Sequence, residues 1–183
     1  MAAAHSFLTP ERFEQLYSGE KPNVEYWFGK AIQKPMPTSL HSAIAFVISM
    51  LLLKRGWKAL PEVRLKISQL AHPVPDVVAS SKPFQDPYPT DPLDLCVEIL
   101  SPGDKLSGLF NKAAHYLDWG IETVWIIDPK RHTAFSMSVH NPQPIPVGMS
   151  GCLTAGTGEH ELSIPLSELF AEVDKSGLVD EAR

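Results

Sequence analysis

The sequence predicts an α/β domain in which a mixed central β-sheet is flanked by helices and carries added β-hairpins. Three observations support this fold class. Residues 122–129, ETVWIIDP, are apolar on both faces of an extended chain, as in a central strand covered by helices. Residues 104–119 carry apolar side chains at helical spacing. Residues 39–56 are apolar around nearly the whole circumference of a helix.

The composition fits one folded domain with a full core. The chain has 183 residues, of which 44% are hydrophobic and 20% are charged. We therefore predict a single domain over residues 1–183, with residues 171–183 as a flexible tail. The longest apolar run, residues 43–53, is shorter than the roughly 20 residues of a bilayer span, and no basic leader precedes it. We expect a cytoplasmic protein without a membrane partner.

The charge and the cysteines exclude several classes of site. A formal net charge of -5 at pH 7 predicts no broad basic surface, so nucleic acid must be held by a local patch, a metal ion or an oligomer. Cys96 and Cys152 lie far apart without CxxC spacing. We predict neither a disulfide bond nor a zinc site. Prolines are concentrated in residues 73–92, which predicts an irregular connection there.

The first elements are a short helix and a hairpin. Residues 9–18, TPERFEQLYS, have Thr9 as an N-cap and apolar residues at helical spacing. Residues 23–35, NVEYWFGKAIQKP, are rich in strand-forming side chains and predict a hairpin that turns at Gly29 and Lys30. Glu25 falls in its first strand.

A longer helix and two strands follow. Thr38 or Ser39 caps the apolar helix, which ends at Gly56 and must be buried on more than one side, against the sheet and a second subunit. Residues 57–67 alternate as a half-buried strand. Residues 75–80, PDVVAS, predict a short strand.

The second half of the chain predicts the central strands. In residues 93–102, LDLCVEILSP, a period of two places Glu98 on a mostly covered face. The helix 104–119 follows and ends at Gly120, and the strand 122–129 pairs with the next segment as a hairpin. The tail from Asn141 is rich in proline and glycine, and residues 160–170 are its last ordered part.

Asp76 and Glu98 lie on successive short apolar strands, so we expect them to be neighbours in the sheet. Two carboxylates about 4 Å apart repel by roughly 4 kcal/mol at an effective dielectric near 20, so such a pair requires a shared proton or a cation. Mg²⁺ accepts one or two carboxylates and keeps water ligands. The pair therefore predicts a site for Mg²⁺ or Mn²⁺.

Lys112 is the best placed amine. On a helical wheel, Lys105, Lys112 and Tyr116 share one flank of the predicted helix, and Lys112 and Tyr116 are stacked four residues apart. A lysine is a usual supplement to a metal ion, because it stabilises charge that develops on a phosphate. We expect this flank to overhang the end of the sheet that carries Glu98.

The ordered segments VPDVVAS, CVEILSPGD, NKAAHYLDWG and VWIIDP resemble the Uma-type family of putative restriction endonucleases, over residues 9–139. The resemblance implies the restriction endonuclease-like fold of the PD-(D/E)XK nuclease superfamily. By this resemblance, Asp76 matches the first metal-binding acid and Glu98 the second. We expect the carbonyl of Ile99 to add a ligand.

The resemblance also marks departures from the superfamily pattern. The superfamily lysine normally lies two residues after the second acid, where this chain has Leu100. In the Uma-type family the lysine has moved to the following helix, and Lys112 matches it. Glu25 matches an early acid and is expected to be an auxiliary metal ligand. An acid often found four residues before the helix lysine is replaced by Gly108, and Asp104 is expected to compensate.

Together with the resemblance, these residues predict a magnesium- or manganese-dependent endonuclease that hydrolyses phosphodiester bonds in DNA. We expect a homodimer, formed through the apolar helix or the edge of a hairpin. Asp76 and Glu98 hold the metal ion, and Lys112 polarises the water or the scissile phosphate. Two alternatives stay open. One is a catalytically silent DNA-binding or protein-interaction module, which the acidic balance and the missing strand lysine favour. The other is a metal hydrolase that acts on a small phosphoester.

Each of these side chains also has a purely structural interpretation. Asp76 is of a type that caps turns, Glu98 is of a type that forms buried ion pairs, and Lys112 alone would be a solvated helix lysine. We favour packing over chemistry for Tyr116. For His41, in the first turn of the apolar helix, we favour a hydrogen bond at the helix start over an approach to the acids.

Overall fold

A computed structural model describes residues 7–17 and 23–180, which contain four α-helices, eleven strands and one 3₁₀ turn. Along the chain these elements are α1 (Pro10–Tyr17), β1 (Val24–Trp27), β2 (Lys30–Gln33), α2 (Ser39–Lys54), β3 (Lys58–Pro61), β4 (Ala71–His72), β5 (Val77–Ser80), β6 (Leu95–Ile99), α3 (Leu106–Trp119), β7 (Thr123–Asp128), β8 (Thr133–Ser138), β9 (Asn141–Val147), β10 (Cys152–Ala155), the 3₁₀ turn Gly158–His160, β11 (Leu162–Pro165) and α4 (Leu166–Ser176).

The central sheet has six strands in the order β3-β5-β6-β7-β8-β9. Strands β6 and β7 are parallel, and the other neighbouring pairs are antiparallel. A parallel pair requires a crossover connection, and α3 provides it. The predicted mixed sheet is confirmed, as is the hairpin formed by β7 and β8.

Helices cover both faces of the sheet, as predicted. Alternate residues of β6 point to opposite faces. Val97 packs in one cluster with Ile44 and Ile48 of α2, on the face that α4 also covers. Cys96 packs in a second cluster with Ala113 of α3. Glu98 shares the α3 face with Cys96, so the strand period places an acid beneath a helix.

Helix α2 begins as predicted, because the Thr38 hydroxyl accepts a hydrogen bond from the His41 backbone N–H at 3.2 Å. Most of its apolar residues are buried against the sheet and α4. Phe46 and Leu53 remain 60% and 55% exposed. The predicted contact with a second subunit stays a prediction. No helix within the described ranges has both the length and the hydropathy to cross a bilayer.

A small antiparallel sheet, in the order β2-β1-β4, packs against α1 through Phe13 and Tyr26. Its hairpin turns at Phe28 and Gly29, one residue earlier than predicted, and Lys30 already pairs with Trp27. Phe28 and Gly29 have φ values of 49° and 82°. Two left-handed residues give the turn a twist that suits a two-residue hairpin.

The strand predicted over residues 57–67 is shorter in the structure. Strand β3 ends at Pro61, and Glu62 has a φ of 52°, which turns the chain out of the sheet. Leu65 is nevertheless buried, because the following loop folds back and its backbone N–H donates to Pro73 at 2.8 Å. The alternating apolar residues of 57–67 are therefore partly buried by a loop, and only the first part of this segment is a strand.

The segment from Asn141, predicted as irregular, contains two further strands at its start. Strand β9 pairs with β8 at the edge of the sheet although Pro142, Pro144 and Pro146 lie within it. Only alternate residues of an edge strand bond the neighbouring strand, so prolines at every second position keep the missing N–H groups on the outer side. Strand β10 then pairs with β11.

Residues 171–176, predicted as the start of a flexible tail, form the last turns of α4. Leu169, Phe170 and Val173 are buried in the cluster that includes α2. Their spacing gives the helix one apolar face, which explains why the helix continues past residue 170. Residues 181–183 of the predicted tail, and Ser18 of the predicted first helix, lie outside the described residues.

We predict opposite stability effects for two glycine substitutions on α3. Gly120 has a φ of 106°, and a Cβ atom there would lie 3.1 Å from Pro92 Cγ, so Gly120→Ala should lower the free energy of unfolding by about 1–2 kcal/mol. A Cβ at Gly108 would meet no atom within 4 Å, so Gly108→Ala should raise it by about 0.5–1 kcal/mol. Urea denaturation measures both, and effects of equal sign would contradict the prediction.

Candidate functional site

A cavity of about 170 Å³ lies where β5 begins and β6 ends. Seven segments of the chain meet there, and half of the polar residues they contribute are buried. The ionisable side chains on its wall include Glu25, Lys34, His41, Asp76, Glu98 and Lys112. The structure thus brings together the predicted acids, the predicted lysine and two further basic side chains.

The pairing of β5 with β6 positions the two acids. Val77 lies opposite Val97, and Asp76 and Glu98 are the next residue on each strand beyond that pair. The Asp76 carboxylate accepts a hydrogen bond from the Ile99 backbone N–H, from nitrogen to Oδ2, at 2.7 Å. Asp76 and Glu98 are therefore neighbours at one end of the sheet, and both are nearly fully buried.

Two basic side chains contact Asp76. Lys34 Nζ lies 2.6 Å from Oδ1, and His41 Nε2 lies 3.3 Å from the same oxygen. Burial alone would raise the pKa of the Asp76 carboxyl, but the hydrogen bond from His41 and the charge of Lys34 outweigh burial. The pKa of Asp76 is therefore held well below its usual range, and the group is ionised at neutral pH.

Lys112 bridges two acids from different sheets. Its Nζ atom lies 2.9 Å from Glu98 Oε1 on β6 and 2.7 Å from Glu25 Oε1 on β1. The Tyr116 hydroxyl donates to the same oxygen of Glu98 at 2.7 Å. Lys112 and Tyr116 therefore act from successive turns of α3 on one carboxylate oxygen.

Both oxygens of Glu25 are hydrogen-bonded within the chain. Oε1 accepts from the Val74 backbone N–H at 2.8 Å, in addition to Lys112, and Oε2 accepts from the Trp27 indole at 3.0 Å. These hydrogen bonds fix the Glu25 carboxylate in place, and the carboxylate in turn holds the Lys112 ammonium group. The role of Glu25 as an auxiliary metal ligand stays a prediction.

The electrostatic environment fixes the protonation of Lys112. Burial would lower the pKa of the Lys112 ammonium, but the charges of Glu25 and Glu98 outweigh burial and raise the pKa well above its usual range. Burial raises the pKa of the Tyr116 hydroxyl, and the charge of Glu98 adds to this effect. At neutral pH, Lys112 therefore carries a positive charge and Tyr116 is a hydrogen-bond donor.

The pKa of Glu98 is shifted in the opposite direction to the pKa of Asp76. Burial raises the pKa of the Glu98 carboxyl, and the nearby charge of Asp76 adds to this effect while Lys112 opposes it. A cation bound between Glu98 and Asp76 would oppose this rise in pKa, because it favours the ionised form of both acids.

The donor set fits a hard cation. Asp76 and Glu98 offer carboxylate oxygens, and Glu98 Oε2 accepts no hydrogen bond from any described residue. Within residues 7–17 and 23–180, no three His, Cys, Asp or Glu side chains converge to hold a metal ion. Mg²⁺ needs only one or two carboxylates, because water completes its coordination, so two acids match its requirements better than those of zinc.

Comparisons with known proteins place the chain in a family. A model of the family Uma2, described as "Putative restriction endonuclease", matches residues 10–152. The chain belongs to the Uma2 family. A solved structure, "a putative nuclease belonging to DUF820 from Anabaena variabilis ATCC 29413", is similar with a TM-score of 0.71 and 27% identity, over 91% of this chain and 99% of that chain. No curated protein matches. The fold is restriction endonuclease-like, and both comparisons support a nuclease.

In this member of the Uma2 family, the ammonium group that contacts Glu98 belongs to a helix residue, Lys112. At the position two residues after Glu98, the backbone N–H of Leu100 donates to Ile127 at 2.9 Å, and the side chain is apolar. Lys112 of α3 reaches Glu98 instead. Asp104 lines the cavity and accepts a hydrogen bond from the Ser101 backbone N–H at 2.8 Å, so it shapes the turn between β6 and α3.

Sequence reasoning missed Lys34 and Ser101. Lys34 Nζ donates to the Val74 carbonyl at 2.7 Å as well as to Asp76, and the Ser101 hydroxyl lies 3.0 Å from His41 Nδ1. Lys34 lies between a strand and Pro35, where no periodic pattern marks a side chain. Tyr116, for which packing was favoured, is buried and also donates to Glu98. Its i, i+4 spacing from Lys112 was the signal that could have placed it in the site.

We predict that Asp76 makes the fold sensitive to acid. Because its folded pKa lies below the ordinary value of 3.8, its contribution to stability is complete well above 3.8, declines as the pH falls below 3.8, and is lost as the pH falls through the folded pKa. Between about pH 7 and about pH 3, the wild-type protein should lose about 1 kcal/mol more unfolding free energy than Asp76→Asn.

Urea denaturation at each pH measures this difference. The exposed acid Asp118, near the end of α3, provides the control, and Asp118→Asn should follow the wild-type profile. Parallel pH profiles for the wild type and Asp76→Asn would contradict the assignment.

Proposed function

We propose that this member of the Uma2 family is a metal-dependent endonuclease that hydrolyses phosphodiester bonds in DNA. The observation that carries the proposal is that the carboxylates of Asp76 and Glu98 and the ammonium group of Lys112 line one cavity. Three separate elements deliver them, so their meeting results from the tertiary fold. The family and the similar solved structure support a nuclease, and the metal and the DNA substrate are part of the proposal.

Asp76 and Glu98 would hold Mg²⁺ or Mn²⁺, with the adjoining carbonyl of Ile99 as a further oxygen donor and Glu25 as an auxiliary ligand. Such a cation supplies Lewis acidity, which polarises the phosphate and makes water a better nucleophile. The register of β5 and β6 positions the two acids on rigid strands, where their separation is fixed by backbone pairing.

Lys112 acts as a fixed positive charge. Its ammonium group is protonated and held between Glu25 and Glu98, so it cannot accept a proton from water at neutral pH. It stabilises negative charge that develops on the phosphate, which is most effective in a partly buried site. Glu25 anchors this ammonium group, and Tyr116 orients the carboxylate of Glu98.

Lys34 and His41 position Asp76. Both contact Oδ1 of its carboxylate, and His41 is itself oriented by Ser101. Their hydrogen bonds and the charge of Lys34 keep Asp76 ionised without a metal ion, so the acid needs no deprotonation before a cation binds. We assign Lys34 and His41 positioning roles.

One observation favours a second candidate, a DNA-binding module without cleavage. Both predicted metal-binding acids are already paired with lysines, and no group of three or more metal-ligating side chains forms in the part of the chain that the structure describes. Buried ion pairs that serve only stability have the same appearance. Cleavage measurements on matched variants separate the two candidates.

We predict that removal of either acid abolishes cleavage without abolishing binding. Asp76→Asn and Glu98→Gln should each lower the cleavage rate at least about 10²-fold with Mg²⁺ or Mn²⁺, because each removes a metal-binding charge. Plasmid, single-stranded DNA and bis(p-nitrophenyl) phosphate are the substrates. The control is Glu161→Gln at an exposed acid next to the 3₁₀ turn, which should cleave as the wild type does.

Three results decide the outcome of this assay. Metal-dependent DNA cleavage that both acid variants lose supports the endonuclease. DNA binding without cleavage in the wild type supports the silent module. Hydrolysis of the small phosphoester alone supports a phosphoesterase that does not act on DNA.

We predict that the charge of Lys112 matters more than its length. Lys112→Met should lower the cleavage rate about 10²–10³-fold and the free energy of unfolding by about 3–5 kcal/mol, since it leaves buried carboxylates unpaired. Lys112→Arg keeps the charge and should retain folding and part of the activity. Cleavage and urea denaturation are measured together, with Lys105→Met, at an exposed lysine, as the control. Equal cleavage by Lys112→Met and the wild type would exclude the proposed role.

A further inference from the structure

A second cavity, of about 300 Å³, opens directly beside Lys112. Three aromatic side chains on its wall, Trp27, Phe28 and His115, form a group that we call the aromatic cleft. The cavity shares Glu25, Ile32 and Lys112 with the candidate active site. The two cavities are therefore contiguous, and Lys112 lies on the wall of both.

The rings of the aromatic cleft contact one another and leave one ring open to solvent. The ring centres of Trp27 and His115 are 5.5 Å apart, and those of Phe28 and His115 are 5.2 Å apart. These separations are typical of stabilising aromatic pairs. Phe28 is nevertheless 48% exposed. The half-buried rings of Trp27 and His115 thus support an exposed ring at the edge of the active site.

The conformation of Phe28 shows that the turn does not require a phenylalanine. Its φ of 49° is left-handed, a region that asparagine, aspartate and glycine adopt more readily than a bulky residue. A left-handed residue with a large side chain costs about 1–2 kcal/mol. The exposed ring contributes little to the core, so neither the turn nor the packing explains its presence. Such strain is concentrated at functional sites.

Gly108 leaves the cleft open on the side of α3. It lines the same cavity in the first turn of the helix, and a Cβ atom there would meet nothing within 4 Å. Crowding therefore does not require glycine at this position, although glycine in a helix is unfavourable by about 0.5–1 kcal/mol relative to alanine. Its effect is to keep the entrance to the rings clear of side chains.

The occupant must be flat, apolar on its faces and joined to a phosphate near Lys112. A nucleobase meets these conditions, and base stacking on aromatic side chains is worth about 1–3 kcal/mol per base. Lys112 supplies a positive charge beside the rings for the attached phosphate. In a duplex the faces of the bases are covered by their neighbours, so only an unstacked base can enter.

We propose that the aromatic cleft is a nucleobase-stacking site that holds an unpaired base of the DNA beside the phosphodiester facing Lys112. The inference rests on the proposed function and narrows its substrate class to single-stranded or locally unpaired DNA. Phe28 is the principal stacking residue. Trp27 and His115 support its ring.

The test measures DNA binding in the presence of a chelator, so that no cleavage occurs. The probe is a short single-stranded oligodeoxynucleotide that contains 2-aminopurine, a base whose fluorescence changes when it stacks. Phe28→Asn removes the ring and suits the left-handed backbone, so the protein should fold at least as well as the wild type. Phe28→Tyr keeps the ring.

We expect Phe28→Asn to weaken binding about 5- to 150-fold and to lose the fluorescence change, and Phe28→Tyr to retain both. Phe46→Asn is the control, because Phe46 is an exposed phenylalanine on α2 outside the cleft, and it should behave as the wild type. The wild type should bind the single strand more tightly than a duplex of the same sequence.

The outcomes separate this inference from the proposed function. If the wild type cleaves DNA but Phe28→Asn binds the single strand unchanged, the stacking site is excluded and the nuclease stands. If Phe28→Asn instead converts a dimer to a monomer in light scattering without a change in binding, the cleft is a contact between two copies of the chain and the inference fails. If the wild type neither binds nor cleaves nucleic acid, both proposals fail.

Discussion

The structure depends on the neutralisation of three buried carboxylates by two lysines. Glu25, Asp76 and Glu98 are all withdrawn from water, and burial of a charge without a partner is among the most unfavourable events in folding. Lys112 lies between Glu25 and Glu98, while Lys34 contacts Asp76. These three ionic contacts join the small sheet, the central sheet and α3. The polar cluster is therefore complete only when these layers are docked.

The same contacts hold the small sheet over the end of the central sheet. Glu25 of β1 accepts the backbone N–H of Val74, and Lys34 donates to the carbonyl of the same residue. The backbone of Val74 thus donates one hydrogen bond and accepts another, two residues before Asp76. Glu25 and Lys34 therefore fix the segment that leads into β5. The same hydrogen bonds stabilise the fold and position the charged side chains of the candidate site, so a substitution at one of these residues should affect both.

Local periodicity explains which parts of the site the sequence predicted. The period of two placed Glu98 beneath a helix, and the spacing of four placed Lys112 and Tyr116 on one flank of α3. Lys34 was not predicted, because its position depends on the path of the loop between β2 and α2, and no periodic sequence pattern determines that path. The strand over residues 57–67 was overextended because a loop that folds back buries side chains as a strand does. Strand β9 was missed because prolines normally exclude a strand, and only its place at the sheet edge admits them.

The prolines of β9 also govern what the sheet can join. A strand from another molecule that approached β9 would need N–H donors from the outward-facing residues, and Pro142, Pro144 and Pro146 have none. At the opposite edge, β3 has four residues and ends in Pro61. Continuous sheet formation between copies is blocked along one margin and limited to a few residues along the other. Edge-to-edge pairing of central sheets from two copies is therefore disfavoured, which lowers the tendency of folded copies to aggregate through this sheet.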